Sequence, residues 1–278
     1  MTWDNLITQP VAAGACQAWR QAGREDGVQA VVLLHGIGSG SGSWLQVIDA
    51  LPKIWLEEHR ILAWDMPGYG GSDALTDTHP KAAAYVERLE QWLDTLGIQQ
   101  AQLVGHSLGA IIAGYARQHN PQRYTSLVLA NPALGYGSKP AAERTEIHQR
   151  RAAMIADGAE VLAETRHRGL LSESASTEQL ETVKQEMSRT SIIGYQAASW
   201  LLANGDLPAS LEAEPGGVVA VITSVQDTIT PMATAQQVAA LTQAPVKVIE
   251  DAGHASYIQQ PQVFADLLCH TLGPKNDI

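Results

Sequence analysis

The sequence predicts a doubly wound, mostly parallel α/β sheet with an inserted helical cap, and three observations carry that expectation. Short apolar runs rich in Val, Ile and Leu recur through the 278 residues, as strands covered on both faces require. Each run ends in a glycine-rich or polar turn, and helix-periodic stretches fall between the runs, the alternation that builds parallel βαβ units. One tract, residues 136–214, breaks the alternation: it is charged, helix-prone and carries no convincing strand pattern.

Taken in order, strands are expected at residues 31–34 and 61–64. An amphipathic helix at 82–96 follows, with Tyr85, Leu89, Trp92, Leu93 and Leu96 on one face and Gly97 as its C-terminal stop. Further strands fall at 103–104 and 127–130, separated by a helical pattern over 108–118. The charged tract then reads as helices over 141–157, 159–168, 177–189 and 192–203. Roughly 80 residues without a strand is far beyond ordinary loop lengths, so this tract needs packing of its own. Strands at 218–222 and 246–249 resume the sheet. The expected organisation is a core in two parts, residues 1–135 and 215–278, with residues 136–214 as a cap over one edge.

Composition narrows the function classes. Lys and Arg number 18 against 29 Asp and Glu, a formal net charge of −11. Such a chain repels phosphate backbones and has no basic block, so no nucleic-acid partner is expected. Its apolar runs fall far short of the roughly 20 residues of a membrane span, so no membrane partner is expected either. Residues 1–10 include Asp4 and lack the basic and apolar regions of a signal peptide, which predicts a cytoplasmic protein. Cys16 and Cys269 have no metal-ligand or CxxC spacing and read as two reduced thiols.

The sharpest local signal is Gly105-His106-Ser107-Leu108-Gly109, a G-x-S-x-G pentapeptide between an apolar strand and a helix pattern. A bare pentapeptide occurs by chance, and a turn serine is its bland reading; the strand–serine–helix context favours a nucleophile. A nucleophile on so tight a turn needs small neighbours, and Gly105, Gly109 and Ala110 supply them. A serine hydroxyl attacks only when a base takes its proton and a third group orients that base. Asp227 falls just past the strand at 218–222, and His254 just past the strand at 246–249. Asp251 reads as a turn residue, and Asn131 is an amide that cannot supply the carboxylate. The stretch from His35 to Trp44, with glycine at 36, 38, 40 and 42, follows the first strand. As a phosphate loop it fails, because G-x-G-x-x-G would need glycine where Ser41 stands and no G-K-[ST] follows. It reads better as an oxyanion loop, with the amides of Ile37 and Leu108 as donors. His35 reads as a brace for that loop, while His106 either packs beside the turn or lines the pocket. This chemistry uses no metal and no cofactor.

In their order along the chain, the His35-Gly36 loop, the Asp65-Met66-Pro67-Gly68-Tyr69-Gly70-Gly71-Ser72 turn, the Ser107 turn, Asp227 and Gly253-His254 resemble the α/β-hydrolase fold superfamily. The resemblance spans nearly the whole chain, and the insertion falls at the family's usual cap site. It implies Ser107 as nucleophile, His254 as general base, Asp227 as the orienting acid and Ile37 and Leu108 as oxyanion donors. The glycine loop and the Pro67-Gly68-Tyr69 turn are similar to those of bacterial C–C hydrolases acting on aromatic ring-fission products. Those enzymes usually have Asn where this chain has His106, and Trp where it has Ala255. The Gly-His-Ser-Leu-Gly form is commoner among capped esterases, lactonases and amide hydrolases. Haloalkane dehalogenases and epoxide hydrolases of this fold use an Asp nucleophile, so Ser107 points away from both.

The resulting expectation is a serine hydrolase cleaving an ester, lactone or related acyl bond of a small-molecule substrate. The alternatives are a C–C bond hydrolase, or a ligand receptor or lyase on the same fold; no oligomeric state is implied. Tyr136, Tyr195, Trp200 and Leu201 are candidate apolar walls, with packing inside the cap as the competing reading. Arg166-His167-Arg168 could meet a substrate carboxylate, but reads first as a solvated helix face.

Overall fold

Among the described residues of the computed structural model (5–11, 14–26, 29–214 and 216–273), eight strands form one sheet. The chain runs through β1 (Ile7–Pro10), β2 (Cys16–Gly23), β3 (Gln29–Leu34), α1 (Leu45–Ala50), α2 (Lys53–Glu58), β4 (His59–Trp64) and α3 (Ala82–Thr95). It continues with β5 (Ala101–His106), α4 (Leu108–His119), β6 (Tyr124–Ala130) and then α5 (Ala141–Met154), α6 (Ala159–Arg166), α7 (Thr177–Ser188), α8 (Ile192–Asn204) and α9 (Leu207–Ala213). It closes with β7 (Val218–Ser224), α10 (Met232–Thr242), β8 (Val246–Ile249), α11 (Ser256–Gln259) and α12 (Pro261–Leu272). The strand order is β1-β2-β4-β3-β5-β6-β7-β8. β3 to β8 are parallel to their neighbours, and β1 and β2 join antiparallel at one edge.

The six parallel strands are the six expected from the sequence. Val31, Val32, Leu62, Leu103, Val104, Val128 and Val221 are completely buried, as a sheet covered on both faces demands. β1 and β2 were not anticipated. β2 carries Gln17 and Arg20 among its buried residues, so it does not read as an apolar run. The stretch read as lacking a leader signature lies partly outside the described residues, and Ile7–Pro10 within it forms β1.

Helix signals act where the sequence places them. After α3, the Gly97 amide bonds to the Asp94 carbonyl at 3.0 Å and the Ile98 amide to the Leu93 carbonyl at 2.9 Å. With Gly97 at φ 70°, this is a Schellman stop. Ser176 and Gln179 form a reciprocal capping box on α7, and Ser191 and Asp206 cap α8 and α9. The 159–168 helix is shorter than expected: α6 ends at Arg166 and residues 167–170 tighten into a 3-10 turn. Among the described residues no helix is long and apolar enough to cross a membrane.

The sheet order creates the functional crevice. From β3 the chain steps to β4 on one side, while β5 pairs with β3 on the other. Connections leaving in opposite directions open a cleft at the carboxyl ends of β3 and β5, the usual ligand position in such sheets.

Candidate active site

β3 and β5 lie in register with Leu34 opposite Gly105, so the His35 loop and the Ser107 turn leave the sheet side by side. Ser107 has φ 52° and ψ −114°, a backbone that costs energy for any residue with a side chain. The turn tolerates no larger neighbours. A Cβ at Gly105 would lie 2.6 Å from the Gly109 carbonyl oxygen, and one at Gly109 would run into the Leu34 carbonyl. The strained turn is held by its own amide, which donates to the Ala130 carbonyl at 3.0 Å, and by its carbonyl, which accepts from Ala133 at 3.1 Å.

Asp227 and His254 come together from the ends of β7 and β8. His254 Nδ1 donates to Asp227 Oδ2 at 2.9 Å, and both side chains are buried. That tautomer leaves Nε2 with its lone pair free to take a proton. Asp227 Oδ1 accepts from the amides of Ile229 (2.8 Å) and Thr230 (2.9 Å). Its Oδ2 also meets the Thr230 hydroxyl at 2.7 Å and the Asn131 side-chain amide at 2.8 Å. Burial pushes this carboxyl up, but the bond and charge of His254 and the Thr230 hydrogen bonds outweigh it and hold Asp227 well below the usual carboxylate range. Ser107 and His254 line one cavity without a hydrogen bond between them; such nucleophile–base bonds are commonly loose before substrate binds.

Asn131 is the functional residue that sequence reasoning missed. Its position at the end of β6 was visible, but it was weighed only as a carboxylate. Its amide donates to Asp227 and to the Ser224 hydroxyl (2.8 Å), and its Oδ1 accepts from Ser256 at 2.9 Å. It therefore ties together the ends of β6, β7 and the His254 loop. Nothing in the sequence beyond an Asn at a strand end marks this role; in the structure its φ is 41°, in the left-handed region that Asn tolerates better than most residues.

The glycine loop packs on the Ser107 turn closely enough that a Cβ at Gly36 would sit 3.0 Å from Ser107 Cβ. The amide of Leu108, at the first position of α4, has no acceptor within its helix; Ile37 lines the cavity with Ser107, whereas Leu108 itself is fully buried and not among the lining residues. The rest of the loop is bonded to itself and to Asp65, which follows β4. The Ser41 amide and hydroxyl donate to Asp65 at 2.6 and 2.9 Å, and the Ser43 hydroxyl to the Gly40 carbonyl at 2.6 Å. His35 braces it: Nε2 accepts from the Met66 amide at 3.1 Å, so Nδ1 carries the proton that bonds to the Gly36 carbonyl at 2.8 Å. His106 does both things expected of it. It lines the cavity, and its Nε2 donates to the His254 carbonyl at 2.9 Å. Burial pushes His35 down to about 4 and His106, also repelled by His254, down to about 3, so both rings are neutral.

The cavity over these residues measures about 290 Å³, the lower end of the range of small-molecule sites. Its roof comes from the helices between β6 and β7. Tyr136 and Tyr195 line it as expected. Trp200 and Leu201 do not: Trp200 stands edge-on to His79 and His148, and Leu201 is buried in the core, while the neighbouring Leu202 faces the cavity. The basic trio divides. Arg166 and Arg168 are both exposed, but only Arg166 reaches the cavity lining, and His167 is buried against the Ala163 carbonyl at 2.8 Å. Among the described residues, no group of three or more His, Cys, Asp or Glu could hold a metal ion.

Comparisons with known proteins agree with this architecture. The chain is 29% identical over 269 residues to the dihydrolipoyllysine-residue acetyltransferase component of the acetoin cleaving system of Cupriavidus necator, covering 91% of this chain and 66% of that protein. It is 34% identical over 109 residues to a 2-hydroxy-6-oxononadienedioate/2-hydroxy-6-oxononatrienedioate hydrolase of Paraburkholderia phymatum, covering 39% of this chain and 38% of that one. The chain thus spans about two thirds or less of the length of these curated relatives. It also superposes on the crystal structure of a hydrolase from Pseudomonas aeruginosa PA01 with a TM-score of 0.81 at 25% identity, covering 97% and 99% of the two chains. Residues 31–267, which hold every site residue named above, match the profile of the alpha/beta hydrolase family, and the chain belongs to that family.

Proposed function

We propose that this protein is a serine hydrolase that cleaves an ester, lactone or related acyl bond of a small organic molecule. The observation that carries the reading is the strained Ser107 turn facing the same cavity as a His254 whose Nδ1 is committed to a buried Asp227. Ser107 Oγ attacks the carbonyl carbon while His254 Nε2 takes its proton. Asp227 keeps the ring in that tautomer and stabilises the imidazolium. The amides of Ile37 and Leu108 hold the oxyanion, where one lost donor typically costs about 10²–10³ in rate. The tetrahedral intermediate collapses to an acyl-Ser107, the leaving group receives the proton from His254, and water activated by the same ring releases the acid. Residues 136–214 serve as the cap over this reaction. The acidic composition and the two free thiols, Cys16 and Cys269, support a cytoplasmic setting.

A second reading, hydrolysis of a C–C bond in a ring-fission product of aromatic catabolism, is supported by the name of the P. phymatum relative. The same serine, base and amides would then act on a ketone. A substrate panel separates the two: ring-fission products turned over far faster than activated esters would select the second.

The direct test is hydrolysis of short-chain p-nitrophenyl esters by the wild type and by Ser107→Ala. Removing a nucleophile of this kind typically costs about 10⁴-fold or more. Turnover that survives in the variant would remove Ser107 from the mechanism.

A further inference from the structure

We propose that the roof of the cavity carries a carboxylate-binding subsite formed by Arg151, Arg166 and Tyr195, which makes small anionic esters the preferred substrates. The inference deepens the serine hydrolase reading and rests on it for the reaction, though not for the binding.

The two arginines arrive from different helices. Arg151 is in the last turn of α5, which packs on α8, and Arg166 in the last turn of α6, which packs on α7. Both line the cavity that holds Ser107 and His254. Tyr195, on α8, lies between them and the floor. Its ring edge would be 3.6 Å from a Cβ on Gly38, the residue next to Ile37. Tyr195 lines the same cavity as both arginines, and their charges oppose the upward push that burial gives its phenol.

Complementing a helix C-terminus is the bland role for a last-turn arginine. The surrounding charges argue for more. Among the described residues the ion pairs of the inserted helices are Lys139–Glu143, Lys184–Glu164 and Arg189–Glu186, and neither Arg151 nor Arg166 takes part in one. The one acidic side chain facing the same cavity is Glu186. Its carboxylate accepts from Arg189 at 3.1 Å and lies against Gly40 and Gly42, so its charge is already engaged. Two guanidinium groups without a carboxylate partner among the described residues, Arg151 half-buried and Arg166 exposed, thus line one cavity in a chain of net charge −11. Arginine forks match a carboxylate in shape, and the Tyr195 hydroxyl adds a donor that does not titrate near neutrality.

The test compares kcat/KM for the monoanionic p-nitrophenyl monoester of glutaric acid with that for neutral p-nitrophenyl valerate, a chain of matched length. The ratio of anionic to neutral turnover should fall about tenfold in Arg151→Gln or Arg166→Gln and about a hundredfold in the double variant. Arg168→Gln, exposed and off the cavity, should leave the ratio where it is. Wild-type protein gives an independent readout, because the ratio should also drop as salt rises from about 0.02 M to about 0.5 M. A ratio that ignores both the substitutions and the salt overturns the subsite while leaving the serine mechanism intact. If Ser107→Ala still hydrolyses both esters, the serine reading falls, and binding decides the subsite. Calorimetric titration of monomethyl glutarate into Ser107→Ala should then show saturable binding that weakens at least tenfold with both arginines replaced. No saturable binding, or binding indifferent to the arginines, overturns it.

Discussion

The floor of the cavity and its roof are built on opposite terms. On the floor, groups from three strand ends satisfy one another: Asp227 is met by Ile229, Thr230, Asn131 and His254, and Asn131 in turn by Ser224 and Ser256. In the roof, Arg151 and Arg166 have no carboxylate partner among the described residues, and Leu162, Leu170, Val183 and Met187 present apolar surface. Floor and roof are tied together at a few points, among them Ser191 Oγ to the Gly68 carbonyl (2.6 Å) and Ala255 N to the Leu170 carbonyl (2.8 Å). The difference assigns separate tasks. Dipoles fixed before substrate arrives stabilise a transition state without reorganising, whereas uncommitted charges select what enters. Changes in the floor should therefore lower kcat for every substrate, and changes in the roof should redistribute turnover among substrates.

The hardest blow to the floor short of removing Ser107 is Asp227→Asn. The amide keeps the shape but presents an NH₂ where His254 Nδ1–H needs an acceptor, which drives the ring to the wrong tautomer. The expected loss is about 10⁴-fold in kcat, with KM little changed by comparison. Stopped assays of both ester types should show the same loss, unlike the arginine variants. A loss under about tenfold would mean the floor is not the seat of the reaction.

Acid should break the floor before the roof. His35 and His106 are buried and neutral with pKa values pushed to about 4 and about 3, whereas in the unfolded chain they protonate near 6.5. Between pH 6.5 and 4 the unfolded state therefore binds more protons, and stability falls as pH falls. The depressed Asp227 carboxyl adds to the same trend below about pH 4. Asp65 and Glu186, raised mainly by burial, work the other way. At pH 5 the two histidines together cost roughly 4 kcal/mol relative to pH 7.5, a melting point lower by about 10 °C. His106→Asn, which cannot titrate, should remove about half of that difference. A melting point as steep in pH for the variant as for the wild type would sink the account.

How much of this was legible in the sequence follows the same division. The six parallel strands were readable because burial on both faces writes continuous apolar runs, and Ser107, Asp227 and His254 because they stand directly after three of those runs. The edge strands β1 and β2 were not, since Gln17 is buried by bonding its amide to the Ala18 and Asp65 carbonyls rather than by apolarity. The roof was readable as helices but not as a surface. A one-residue rotation decides that Leu202 lines the cavity and Leu201 does not, and periodicity in a helix buried on several sides cannot resolve it. Arg166 and Arg168 were likewise indistinguishable until the turn at 167–170 separated them.

Asn131 gives the finest test of the comparison, because it belongs to the floor without touching the reacting atoms. Its side-chain amide bonds to the Asp227 oxygen that also holds His254, so it is a positioning residue whose loss should let the carboxylate drift. A buried hydrogen bond to a charged group accounts for about a 10- to 100-fold fall in kcat in Asn131→Ala, with KM nearly constant. That variant confounds two effects, however, because alanine at φ 41° is strained by roughly 1–2 kcal/mol. Asn131→Gly separates them: glycine accepts the backbone but restores no donor. If positioning through Asp227 is the role, the glycine variant melts above the alanine variant yet shows the same fall in kcat. If glycine restores kcat along with the melting point, Asn131 serves only its own left-handed turn, and the floor is less tightly bound into one unit than its hydrogen bonds imply.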